Sequence, residues 1–115
     1  MPASAEQTSR LDRTLLALAD PTRRKLVERV TRGPVRATDL SRGLPMSRPA
    51  VAKHLRVLKQ AGLVRAVPRG REVFYQRGDS TRAIDEARLY LERVSRDWDR
   101  ALDAFKRFAE AQGEG

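Results

Sequence analysis

The chain has 115 residues, of which 40% are hydrophobic, and this predicts one folded domain over residues 1–115 rather than a disordered chain. The absence of cysteine excludes disulfides and thiolate metal sites. The net charge is +9 and no apolar run approaches the ~20 residues that span a bilayer, so we expect a cytoplasmic protein that does not enter a membrane.

Apolar residues at helical spacing predict two helices at the start of the chain. The first covers about residues 8–19. Asp20 is expected to cap the second helix, with Pro21 at its first position, where a missing N–H is harmless. The buried side of the second helix is predicted to carry Leu26, Val27 and Val30.

A short strand and a third helix are expected next. Val35 is assigned to the strand, and Thr38 to the start of a short helix whose Leu40 and Leu44 point inward. A tight turn leads out of this helix, so the third and fourth helices together form a predicted helix-turn-helix.

The fourth helix, residues 47–61, has the strongest pattern in the chain. Its expected cap is Ser47, and Gly62 is expected to end it. Its apolar residues recur at intervals of four and three, which places Val51, Leu55 and Leu58 on one stripe. The opposite side is small or cationic, with Arg48, Pro49, Ala52, Lys53 and Arg56.

Two strands, residues 63–68 and 72–77, are joined by the sequence RGR at residues 69–71, which predicts a hairpin with a glycine at its tip. A last helix over residues 80–112 follows, capped by Ser80 or Thr81. The expected fold is mainly α within the α+β class. It is a winged helix-turn-helix with a two-stranded β-hairpin wing and a long C-terminal helix. We divide the domain into a core, residues 8–78, and that helix.

The positive charge is confined to the middle of the chain. Residues 20–78 carry fifteen Lys and Arg against four Asp and Glu, whereas residues 79–115 carry seven against nine. Such segregation favours a polyanionic partner, and an anionic membrane surface is the alternative to nucleic acid. A helix in a major groove needs small residues for close approach, donors near its N-terminus and cations for phosphates. The fourth helix has all three, although a solvated basic surface is the simpler alternative.

Three motifs closely resemble the ArsR family of winged helix-turn-helix transcriptional repressors. They are LADPTRRKLV at residues 18–27, ATDLSRGLPMSRPAVAKHLRVLKQAGLV at residues 37–64, and RGREVFYQ at residues 69–76. The resemblance covers residues 10–78 in order. It implies a homodimer on double-stranded DNA with an inverted-repeat operator. It also implies that Ser47, Arg48, Pro49, Ala52 and Lys53 face the groove. The predicted DNA-binding residues further include His54 and Arg56, with Arg69 and Arg71 in the wing.

The resemblance also provides a test for metal binding. Metal-sensing members carry cysteines where this sequence has Arg36 and Thr38, and other members place His and Asp ligands on the last helix, which has no histidine here. His54 is the only histidine, and a structural hydrogen bond or a phosphate contact is expected for it because zinc requires further ligands. We therefore predict a non-metal-binding member without a cofactor, whose effector, if any, is unknown.

The last helix carries an apolar stripe of about seven turns. A domain this small cannot cover such a stripe, which favours pairing with a second copy of the chain. The alternative is that Trp98 and Phe105 pack within the chain. The residues predicted to form the dimer interface are Leu11, Leu15, Leu91, Val94, Trp98, Leu102 and Phe105.

An enzyme is not expected. One histidine and no cysteine provide no catalytic triad, and the seven glycines form no phosphate-binding loop. The predicted function is a homodimeric, sequence-specific DNA-binding repressor. The alternative is a winged-helix protein-interaction module that binds an acidic protein, which would more typically expose aromatic residues on the fourth helix. A ligand sensor at the dimer interface would add to the repressor function.

Overall fold

The structure is a computed structural model that describes residues 5–79 and 81–113. Its elements confirm a winged helix-turn-helix fold. In chain order they are α1 Ala5–Leu18, α2 Pro21–Thr31, β1 Val35–Arg36, a 3-10 helix Ala37–Asp39, α3 Arg48–Gln60, β2 Val64–Arg69, β3 Glu72–Arg77 and α4 Arg82–Gly113. The fourth predicted helix is therefore α3, and the last is α4. None of the described helices combines the length and apolar character that crossing a membrane requires.

The start of α2 is set by a local capping signal. The carboxylate of Asp20 accepts a hydrogen bond from the backbone N–H of Arg23 at 3.0 Å, and Pro21 occupies the first turn, as predicted. Helix α1 ends at Leu18, one residue before the predicted end, and begins at Ala5 rather than at residue 8.

The third predicted helix is only a 3-10 turn. Its hydrogen bonds join an N–H to the carbonyl three residues earlier. The N–H of Leu40 donates to the carbonyl of Ala37 at 3.4 Å, and the N–H of Leu44 donates to the carbonyl of Ser41 at 3.1 Å. Gly43 has a φ of +78°, a left-handed conformation that ends the helical turn. The segment is therefore too short for the hydrogen bonds of an α-helix, which join an N–H to the carbonyl four residues earlier. The predicted inward residues are correct, because Leu40 is fully buried and Leu44 packs against the core.

The wing belongs to a three-stranded antiparallel sheet in the order β1-β3-β2, so the predicted two-stranded hairpin has one more strand. Arg69 is the last residue of β2 and is the register partner of Glu72, which leaves only Gly70 and Arg71 as the loop. Gly70 has a φ of +62°, which a two-residue hairpin turn with glycine first requires. The RGR loop expected from the sequence is therefore shorter than predicted.

The core lies between α1, α2, α3 and the sheet. Leu26, Leu40 and Leu58 are fully buried there. The first half of α4 packs against α1, and the guanidinium of Arg10 lies 2.8 Å from the carboxylate of Glu86. Helix α3 packs mainly against α2 and β2 and also contacts α1.

Helix α4 extends far beyond the core. Thr81 caps it, since its carbonyl accepts the N–H of Asp85 at 2.8 Å; Ser80, the other predicted cap, lies outside the described residues. The helix has 32 residues and is about 48 Å long at 1.5 Å per residue. Every described residue from position 95 onward is exposed, and the longest dimension of the chain is 74 Å.

We predict that Gly78→Ala destabilises the fold. A Cβ at Gly78 would overlap the backbone carbonyl oxygen of Gly62, while the Gly78 N–H donates to Leu63 at 3.0 Å, so the two backbones cannot separate without losing that bond. The expected loss of unfolding free energy is at least about 1–3 kcal/mol. Urea denaturation at fixed protein concentration measures it. Gly113→Ala, where an added Cβ meets nothing within 4 Å, is the control, and equal effects of both changes would contradict the prediction.

Candidate nucleic-acid interface

The N-terminus of α3 is built by a cap and a tolerated proline. The hydroxyl of Ser47 accepts a hydrogen bond from the N–H of Ala50 at 3.3 Å, and its carbonyl accepts the N–H of Val51 at 3.1 Å. Pro49 lies in the first turn, where its missing N–H costs nothing. The helix therefore begins sharply at an exposed end.

The two sides of α3 differ as the sequence predicts. Val51, Leu55 and Leu58 are buried against the core. The candidate DNA-binding side chains on the other side are all exposed. They are Ser47, Arg48, Pro49, Ala52, Lys53 and Arg56. The small residues among them, Ser47, Pro49 and Ala52, lie between the cations.

The cations of this surface are not neutralised within the chain. Arg48, Lys53 and Arg56 have no hydrogen-bond or ion-pair partner among the described residues. The sequence explains this, because residues 40–71 contain eight Lys and Arg and no Asp or Glu. The exposed side of α3 is consequently a field of uncompensated positive charge that attracts polyanions.

The wing adds further arginines, held in different ways. Arg71, in the loop, has no partner among the described residues. Arg69 lies over the ring of Phe74, with 4.7 Å between the guanidinium carbon and the ring centroid. Arg65, nearer the base of the wing, pairs with Asp79 at 3.0 Å. Arg69 and Arg71, at the tip of the wing, therefore have no carboxylate partner among the described residues.

His54 faces α2 rather than solvent. Its Nδ1 lies 3.3 Å from Nη1 of Arg23 and 4.0 Å from the carboxylate of Asp20. Because arginine can only donate, Nδ1 is the acceptor in any hydrogen bond between these two side chains. This position fits the structural role that the sequence suggested, and a DNA contact by His54 stays a prediction.

Sequence reasoning missed the junction behind His54. The guanidinium of Arg23 donates to the carbonyls of Ala17 at 2.7 Å and Leu16 at 2.9 Å, and Arg24 donates to Leu18 at 2.7 Å. These carbonyls end α1 and have no partner inside that helix. Two arginines just beyond a helix C-terminus were the available signal, since cationic side chains commonly satisfy the last carbonyls.

The capping carboxylate of Asp20 is affected by its position. The pKa of Asp20 lies below its ordinary value, chiefly because the backbone N–H of Arg23 donates to the ionised form. Partial burial opposes this shift, and the nearby His54 and Arg23 side chains add to it.

The predicted interface residues lie on the opposite side of the molecule. Leu11, Leu15 and Val94 are half-buried. The other four are exposed by more than half, with Leu91 at 56%, Trp98 at 63%, Leu102 at 58% and Phe105 at 69%. An open apolar groove beside them is lined by Leu18, Ile84, Ala87 and Leu91. The chain itself therefore leaves Trp98 and Phe105 uncovered, which removes the alternative of internal packing.

Comparison with known proteins identifies the family. The family model described as a helix-turn-helix domain matches residues 18–67. The chain is 42% identical over 105 residues to the HTH-type transcriptional regulator Rv2034 of Mycobacterium tuberculosis, a match that covers 90% of this chain and 92% of that protein. An ArsR-like transcriptional regulator from Rhodococcus sp. RHA1 is 35% identical, with a TM-score of 0.68 and coverage of 91% and 97%. The chain belongs to the ArsR family of winged helix-turn-helix transcriptional regulators.

A second solved structure supports the assignment. The ArsR family transcriptional regulator RHA00566 is 28% identical to this chain and has a TM-score of 0.71, with coverage of 86% of this chain and 97% of that one. As a member of the ArsR family, the protein is a DNA-binding regulator of transcription.

We predict that the Asp20 cap stabilises the fold in a pH-dependent way. A carboxyl with a lowered pKa contributes stability above its unfolded-state value, about 3.9, and loses it as the pH falls through the folded-state value. Asp20→Asn keeps a capping oxygen but cannot ionise. The stability advantage of the wild type over this variant, measured by urea denaturation, should be constant above about pH 5 and decline as the pH falls through the lowered folded-state pKa of Asp20. Asp103→Asn, an exposed change on α4, is the control, and an advantage that grows on acidification would contradict the prediction.

Proposed function

We propose that the protein is a homodimeric repressor that binds an inverted-repeat operator, with α3 in the major groove and the wing beside it. The observation that carries the proposal is the uncompensated charge of Arg48, Lys53, Arg56 and Arg71 on one exposed surface. Phosphate oxygens are the ligands that such a surface lacks, and phosphate contacts provide most of the affinity of DNA-binding proteins.

The small residues of α3 support insertion into the major groove. Pro49 and Ala52 add little bulk beside the N-terminal turn, so the helix backbone can approach the base edges closely. Arg48 and Lys53 lie next to them and can donate to guanine, whereas Arg56, one turn further on, is better placed for phosphates. We assign base reading to the first two cations and backbone contacts to the third.

The apolar side of α1 and α4 supports a homodimer. Exposed side chains along about 48 Å of helix form a surface far longer than the core of one chain can cover. A second copy presents the same stripe, so a two-fold axis allows each copy to cover the other. Two copies of α3 related in this way match two half-sites about 34 Å apart, which is why an inverted repeat is expected.

A protein-interaction module is less consistent with α3. Among the described residues, the exposed large apolar side chains lie on α1, β3 and α4, and none lies on α3. A surface of small residues and unpaired cations, without an aromatic anchor, suits a charged groove better than a protein partner.

We also propose that the protein does not sense metal at the position where related sensors carry cysteines. Arg36, at that position, is occupied in an ion pair with Glu72 at 3.2 Å. The described residues include no group of three or more His, Asp or Glu that could hold a metal ion. A zinc titration of the protein–DNA complex tests the proposal, and release of the DNA by zinc would overturn it.

We predict different DNA-binding defects for α3 and the wing. Lys53→Ala and Arg48→Ala should each cost about 1–3 kcal/mol on the preferred site and reduce the sequence preference. Arg71→Ala should weaken all sequences alike and lower the salt slope by about one. Fluorescence anisotropy with the DNA upstream of its own gene and with random DNA, over a salt series, measures both effects. For the wild type we expect log affinity to fall with log salt at a slope of about −5, for roughly six neutralised phosphates.

Lys106→Ala is the matched control for this series, because it removes a lysine from α4, away from α3. It should leave both affinity and slope nearly unchanged. Equal losses on both DNAs for all three variants would contradict the division of roles, and a wild-type slope near zero would contradict DNA binding itself.

We predict that the apolar stripe of α4 holds the dimer together. Sedimentation at micromolar concentration should give twice the chain mass of 13.0 kDa. Leu102→Glu should raise the dissociation constant at least about tenfold, since it places a charge in a dry interface. Leu89→Glu is the matched control, because Leu89 and Leu102 are equally exposed, at 58%, but Leu89 lies on the other side of α4. A monomeric wild type would exclude the proposed interface.

A further inference from the structure

The outer face of the sheet carries an aromatic ring between two arginines. Phe74 is on the central strand, β3, and its neighbour Tyr75 packs against the core. Because successive side chains of a strand point to opposite faces, the ring of Phe74 lies on the face turned away from the core. A half-buried phenylalanine on that face is not explained by core packing.

The strand register brings the two arginines to the ring. Arg36 on β1 is the direct partner of Phe74 and lies 5.9 Å from the ring centroid. Arg69 on β2 is a diagonal neighbour, since it pairs with Glu72, and it lies closer, at 4.7 Å. Both distances fall within about 6 Å, the range of cation–π attraction.

The stack leaves the donors of Arg69 available. Its guanidinium makes no hydrogen bond or ion pair with any described residue, so only the flat face of the group is used by the ring. The N–H groups lie around the edge of the guanidinium, where a phosphate oxygen can accept them. Arg69 also immediately precedes the loop of the wing, Gly70 and Arg71.

The acidic residue nearest to Arg69 is engaged elsewhere. Glu72 is opposite Arg69 in the register, yet its carboxylate lies 3.2 Å from the guanidinium of Arg36 on the other edge of the sheet. The pair between Arg36 and Glu72 therefore keeps Arg69 from being neutralised, while Phe74 holds it in place.

We propose that Phe74 is a positioning residue for the DNA contact of the wing: its ring holds the guanidinium of Arg69 flat beside the loop, with its donors directed to a phosphate. The inference rests on the proposed function. A long arginine on a bare hairpin loses rotamer freedom when it binds, and stacking reduces this loss before DNA arrives. Phe74 itself touches no DNA in this arrangement.

A double-mutant cycle tests the proposal with a mixed-sequence DNA duplex of about 30 base pairs, which suffices because a phosphate contact is independent of sequence. Phe74→Leu should lower the affinity about 2- to 10-fold. In the Arg69→Ala background the same change should have no further effect. Phe74→Tyr should retain wild-type affinity, because it keeps an aromatic face.

The salt dependence separates positioning from loss of charge. Phe74→Leu should leave the slope of log affinity against log salt unchanged, since Arg69 is still present, whereas Arg69→Ala should lower it by about one. Arg69→Lys keeps the charge but loses the planar stack, so it should weaken binding even if Phe74→Leu fails to fold. Val73→Ala, on the same strand but on the other face, is the control and should bind as the wild type does.

Two results would overturn the proposal alone: additive effects of Phe74→Leu and Arg69→Ala, or full affinity of the Arg69→Ala protein. Failure of the wild type to bind the duplex at low salt would instead overturn the proposed function, and this inference with it. The two failures are therefore distinguishable in the same experiment.

Discussion

The contact between Arg23 and the end of α1 links α1, α2 and α3 at one side chain. One guanidinium donates to the carbonyls of Leu16 and Ala17 and also lies 3.3 Å from His54 on α3. Asp20, three residues earlier, caps the helix that carries Arg23. Three helices thus meet at one charged side chain, which donates to carbonyls of the last turn of α1. Helix α3 is thus held by this junction and by the apolar stripe that it buries in the core.

The distribution of charge explains why the surface of α3 remains available. Elsewhere in the described chain, arginines such as Arg65 and Arg88 pair with nearby carboxylates. Residues 40–71 contain no carboxylate at all, so their cations can be neutralised only across the fold or by a partner. The nearest acidic residue of the wing, Glu72, is engaged by Arg36. The structure thereby preserves the positive potential that attracts DNA and directs its approach.

The molecule has two unsatisfied surfaces of opposite character. The cations on α3 and at the tip of the wing have no carboxylate partners in the described chain. The apolar side chains on α1 and α4 are exposed to solvent, as the 63% exposure of Trp98 indicates. The two surfaces lie apart because α4 leaves the core beside α1, whereas α3 packs against α2 and the sheet. In the proposed dimer, the α1 and α4 surfaces of the two copies pair and set the distance between the two α3 helices. The α3 and wing surfaces then contact two half-sites of the DNA that lie that distance apart.

Local signals in the sequence determined the helix starts, the buried stripe and the charged surface. The caps Asp20 and Ser47 act within three residues, and the stripe of α3 repeats every three or four, so no distant contact is needed to predict them. The helical pattern also gave the cations of the candidate site, whereas the family resemblance came from three sequence motifs. The pattern overestimated the third helix, because Gly43 interrupts a segment that was judged mainly by its two leucines.

Only the tertiary structure decided what the long-range partners are. His54 is 31 residues from Arg23 in the sequence, and Arg36 is 36 residues from Glu72. Residue patterns within one helix or strand therefore cannot predict either pair. Arg69 was predicted in a loop, but strand pairing with Glu72 placed it on the outer face, over Phe74. Which cations are held and which remain unpaired depends on such cross-strand and interhelical distances, and these exist only once the chain has folded.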